Sequence, residues 1–139
     1  MDIDILINAL ENKSNENIIK LDFDKIAKIK NDILQQLGVP NSILKKLHKS
    51  LKDYRFVDEL PELEFGRYIR WINLKDVENI KLQVGGVICD IKVGDDGIIL
   101  VCKNFMHKYY QIYMNEILIF QKLTEQEKVI LKALKYLDN

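Results

Sequence analysis

The stretch Val93-Gly94-Asp95-Asp96-Gly97-Ile98 joins two apolar arms through small, turn-forming residues, which is the pattern of a β-hairpin. Side chains alternate along a strand. Cys89, Ile91 and Val93 therefore share one face of the first arm, and Ile98, Leu100 and Cys102 share one face of the second. Any register in which paired residue numbers sum to an odd value superposes the two rows. A sum of 191 sets Cys89 opposite Cys102, whereas a sum of 193, with Asp96-Gly97 as the turn, sets Cys89 opposite Asn104. Either register predicts two buried, inert thiols.

Outward from this hairpin, period-two patterning and β-branched or aromatic residues predict strands over 65–73, 82–93, 98–103, 108–114 and 117–122. A second hairpin at Met114-Asn115-Glu116-Ile117 would align Tyr110, Ile112 and Met114 with Ile117 and Ile119. The Gly85-Gly86 doublet predicts a bend or bulge where the strand curls over the core.

Before Pro61 the period is that of helices. Asp2 or Asp4 can cap a short helix carrying Leu6, Ile7, Ala9 and Leu10, and a polar break follows over 12–17. Asp22 or Asp24 caps a second, with Ile26, Ile29, Ile33 and Leu37 at spacings of three and four before Gly38 and Pro40 stop it. Asn41 or Ser42 caps a third, lined by Leu44, Leu47 and Leu51. At the far end Thr124-Glu125-Gln126-Glu127 is a capping box, opening a helix whose stripe of Val129, Ile130, Ala133, Leu134 and Leu137 should cover one opening or face of the sheet. The expectation is an α+β fold: N-terminal helices, a five-stranded antiparallel small β-barrel or curled sheet, and a C-terminal helix. We expect a single domain spanning 1–139, helical over 1–60, built of strands over 61–123 and closed by the helix 124–139, the internal boundary lying at 58–61.

Composition narrows function. The 139 residues are 47% hydrophobic and 30% charged, with 21 Lys plus Arg against 21 Asp plus Glu, and the balance holds on either side of Leu60. That excludes a histone-like coat, which needs surplus positive charge to displace counterions. The acidic start and short apolar runs predict neither a leader nor a membrane span. Two cysteines are too few for a disulfide scaffold, and His48 and His107 lie in separate segments without the paired spacing of a structural zinc site, so a reducing, cytoplasmic compartment is expected. The skew toward Ile, Lys and Asn resembles that of an AT-rich genome such as a large DNA virus or a low-GC bacterium; for a viral protein the compartment would be the host cytoplasm.

Three constellations merit weighing. Residues 33–47 resemble a helix-turn-helix unit, with Gly38, Val39, Leu44 and Leu47 at matching places and Leu34 where that family carries a small residue. The resemblance implies DNA contact through Asn41, Ser42, Lys45, Lys46 and Lys49; the alternative is a pair of ordinary helices with a solvated lysine face. Arg67, Tyr68, Arg70 and Trp71, with Lys108 and Tyr109, mix cations and flat rings as single-stranded nucleic-acid platforms and protein interfaces both do; the alternative is that Trp71 and Phe65 plug the core while arginine stems cover its rim. Asp90-Ile91-Lys92, with Asp76 or Glu78, has the residue types of a metal-dependent nuclease. No nucleophile elbow, phosphate-binding glycine loop or His-Glu-x-x-His helix occurs. The expected role is a non-catalytic binding or assembly module, without cofactor, metal or catalytic residues, engaging a protein partner or a second copy. Binding of DNA or RNA through helix 41–55 and the aromatic, basic strand surface is the alternative, and a nuclease comes last.

Overall fold

A computed structural model describes residues 3–137. Its elements are α1 (Ile3–Glu11), α2 (Phe23–Gln35), α3 (Asn41–Ser50), β1 (Tyr54–Val57), β2 (Tyr68–Asn73), β3 (Gly86–Gly94), β4 (Gly97–Lys103), β5 (Tyr109–Tyr113), β6 (Ile117–Lys122) and α4 (Glu125–Leu137), with short 3-10 turns between several of them. The fold is mixed α and antiparallel β, as the patterning implies. The sheet has six strands in the order β1-β6-β2-β3-β4-β5 and is open between its two edges, so the five-stranded barrel is corrected, while the expected alternative of a sheet that does not close is compatible with it, with one strand more. The sequence hides β1 because Tyr54, Arg55 and Val57 are all buried, and a strand buried on both faces shows no alternation. The region expected to be wholly helical therefore contributes an edge strand.

One face of this sheet gathers Val57, Ile69, Trp71, Ile88, Leu100, Cys102, Ile117 and Ile119 into a single cluster, with Ile112 and Met114 packed against it. This cluster extends across the face from Val57 on one edge strand to Ile112 on the other. The opposite face of β1, β6 and β2 carries Tyr54, Ile72, Leu118 and Phe120, and on it lie Leu34 of α2 and Leu47 of α3. A third cluster joins Ala9, Ile18, Ile26, Leu123, Ile130 and Leu131. Helix α4 therefore packs with α1 and α2 as part of a helical layer, in place of the expected seal across the sheet. Asn15, 1% exposed, fastens that contact by donating to the Ala9 carbonyl at 2.8 Å and to Gln126 Oε1 at 3.1 Å.

The β3-β4 hairpin has the sum of 191 from Gly94↔Gly97 to Asp90↔Val101, then slips to 190 at Ile88↔Cys102. The slip is a β-bulge at Cys89. It turns Ile88 inward beside Cys102 and leaves Cys89 exposed, which corrects the expectation of two buried thiols. The second expected hairpin is also corrected. After β5 the chain makes a 3-10 turn over Met114–Glu116 and crosses to pair β6 with β1 and β2. Gly85 and Gly86 serve close backbone approach, since a Cβ would collide with the Ile69 carbonyl oxygen at Gly85 and stand 2.6 Å from that of Lys103 at Gly86.

Helix caps follow the sequence in several places. Asp22 Oδ1 accepts from the Lys25 N–H at 2.7 Å. Thr124 and Glu127 form the reciprocal capping box, at 3.1 Å and 2.9 Å. Helix α3 instead starts after Pro40 with no side-chain cap, and Asn41 and Ser42 fall inside its first turn. Asp4 lies in the first turn of α1, and Asp2 lies outside the described residues.

Candidate interaction surface

Strand β5, Tyr109-Tyr110-Gln111-Ile112-Tyr113, pairs with β4 on one side and, among the described residues, with no strand on the other. The Asn104 N–H donates to the Lys108 carbonyl at 2.9 Å, and the ladder alternates from there. Tyr110 and Ile112 thus direct their backbone groups toward β4. Tyr109, Gln111 and Tyr113 direct theirs to the open edge. Natural edges are blunted with charge, proline or bulges, and β5 has none of these. Tyr109 is 64% exposed and Tyr110 45%.

Beside this edge lies a groove of about 480 Å³, lined by Trp71 and Asn73 of β2, Gln83 to Gly85, Asn104 and Phe105 of the β4-β5 turn, and Tyr110 and Ile112 of β5. Among the described residues no charged side chain lines it. Asn104 shapes the turn: its Oδ1 accepts from the Met106 and Lys108 N–H groups at 2.9 Å each. His107 closes the turn with φ 62°, the left-handed conformation that a glycine usually supplies. On the face of the sheet away from the groove the Lys103 ammonium lies 5.7 Å from the centre of the Tyr109 ring.

The expected interaction residues do not share one surface. Arg67 donates to Glu127 Oε1 at 2.7 Å in a mostly buried ion pair that ties the start of β2 to the capping box of α4. The Tyr68 hydroxyl donates to the Val84 carbonyl at 2.7 Å, and Arg70 Nε donates to the Gln83 carbonyl at 2.9 Å, so both hold the segment before β3 against β2. Trp71 lies in the core and on the groove floor, while Phe65, expected beside it, is exposed before β2 begins. Lys108 and Tyr109 remain at the open edge. Asn41, Ser42, Lys45, Lys46 and Lys49 are exposed on α3, while Leu34 packs fully buried against Leu47. Asp90 and Lys92 are exposed on β3 and Asp90 Oδ1 accepts from its neighbour's N–H; among the described residues no group of three or more His, Cys, Asp or Glu is placed to hold a metal ion. The β5 edge escaped sequence reading because the supposed hairpin to β6 would have covered it.

Two buried cations belong to the scaffold. Lys30 donates to the Leu51 and Tyr54 carbonyls at 2.8 and 3.0 Å, and burial lowers its pKa, opposed by the Asp53 carboxylate. Arg55 lies 3.4 Å from Glu62 with its Nε unpartnered. Among the described residues no helix is long and apolar enough to cross a membrane. No family model, curated protein or solved structure matches the chain.

Proposed function

We propose that this protein is a non-catalytic assembly module that takes an extended protein segment as an added strand on β5. The observation that supports this reading is the pairing of an uncharged, open strand edge with an uncharged groove alongside it. In strand addition, backbone hydrogen bonds supply affinity and pockets for alternate side chains supply selectivity. Tyr109, Gln111 and Tyr113 offer three N–H and three C=O groups, and the groove offers rings and amides to the side chains of the incoming segment.

The test is hydrogen exchange of individual amides. An occupant on β5 slows exchange at Tyr109, Gln111 and Tyr113, whether it arrives as an alternating Thr-Val heptapeptide or as concentrated protein. Unchanged exchange at all three under both conditions overturns the reading. A second reading, nucleic-acid binding, rests on the exposed cations of α3 and on Lys108, because Arg67 and Arg70 have internal partners. It requires duplex retardation that weakens with salt and is lost when Lys45, Lys46 and Lys49 are together changed to Glu.

A further inference from the structure

We infer that the segment received by β5 is the β5 of a second copy of this chain, paired antiparallel about a twofold axis through Gln111. The inference rests on the strand-addition reading and names its partner. A twofold edge contact must be self-complementary, since each residue meets its own mirror position. Centred on Gln111, the strand pairs Tyr109 with Tyr113, Tyr110 with Ile112, and Gln111 with itself. The open-side backbone groups belong to residues 109, 111 and 113, the three that this register makes into hydrogen-bonded pairs. Shifting the register by one residue would set bonded groups opposite unbonded ones.

Side chains agree with the backbone. On the face away from the groove tyrosine meets tyrosine, an aromatic cross-strand pair, and glutamine meets glutamine. On the groove face Tyr110 and Ile112 of one copy would reach the groove that the same two residues line in the other. The five residues carry no charge, so no like charges are apposed. The chain as a whole has a formal net charge of zero, so long-range repulsion between copies is small. The joined sheets would run continuously through twelve strands, six from each copy.

Light scattering coupled to size exclusion at several hundred micromolar should give about twice 16.3 kDa. Gln111→Pro should return it to one chain, because the lost N–H faces away from β4. Gln111→Lys, which keeps the backbone, should do the same by apposing two ammonium groups. In a Cys89→Ser background, Gln111→Cys should form a cross-chain disulfide with oxidised glutathione, since hydrogen-bonded pairs hold Cα atoms about 5.5 Å apart, within disulfide reach. Tyr109→Cys should cross-link to Tyr113→Cys when the two are mixed, and much less to itself. A single-chain mass throughout, or a dimer that survives both Gln111 variants, overturns the inference. If amides 109, 111 and 113 are then protected by the peptide while the mass stays that of one chain, strand addition stands and self-pairing falls. If nothing protects them, both fall.

Discussion

His107 adopts φ 62° in the β4-β5 turn, where a side chain crowds the backbone and glycine does not. His107→Gly should therefore stabilise the fold by up to about 1 kcal/mol, offset to some extent by the freer unfolded chain, and urea titration would read it. Cys102 is fully buried, and burial raises its thiol from an ordinary 9.0 to about 12, with the nearby Cys89 adding to the rise. A pKa raised in the folded state contributes stability that is complete below the unfolded value and is lost as pH climbs toward the folded one. Between pH 9 and 12 this group should lower the unfolding free energy by as much as about 1.4 kcal/mol per unit. Cys102→Ala should flatten that region of the profile, and a thiol reagent at about pH 8 should label Cys89 at once but Cys102 only on unfolding. Glu127 has two duties, to Arg67 and to the Thr124 N–H. Replacing it with Gln preserves the capping chemistry but leaves Arg67 as an unpaired charge, while Ala removes both; we expect losses of about 3 kcal/mol or more, larger for Ala.

At the scale of elements, the bulge decides which side of β3 meets the core. The alternation rule holds from Asp90 to Gly94 and fails before it, because one unpaired residue at Cys89 reverses every face upstream. Ile88→Ala should thus cost about 2–5 kcal/mol in thermal or urea unfolding, and Cys89→Ala less than about 0.5. Gly85 cannot accept a side chain, since its φ is +91° and a Cβ would strike the Ile69 carbonyl. Gly85→Ala should destabilise by at least about 2 kcal/mol, the penalty of displacing β2 from the segment before β3. Features set by neighbouring residues were legible in the sequence: the Asp22 cap, the Thr124–Glu127 box, the end of α2 before Pro40 and the 93–98 turn. What sequence could not supply was pairing at a distance. Nothing in Ile117–Lys122 says that β6 leaves β5 to join β1 and β2, so the open edge of β5 stayed hidden, and the composition of Arg67, Tyr68 and Arg70 does not reveal that their polar groups fasten internal segments.

For the whole molecule, the order β1-β6-β2 places the last strand between the first two. Removing everything after Met114 would strip Tyr54 to Val57 of their pairing partner and expose Ile69, Trp71 and Ile72 along the other flank. Such a fragment should show no cooperative melting by circular dichroism. The ribosome meets the same constraint in time. Helices α1 to α3 can form as they emerge and β3 can join β2, but β1 must wait unpaired, and β2 with one flank open, until β6, their common neighbour, arrives. Nascent-chain maturation should therefore be a late, single event triggered by release of residues 117–122, leaving an interval in which a chaperone, or the open β5 edge of a sibling polypeptide on the same messenger, can engage first.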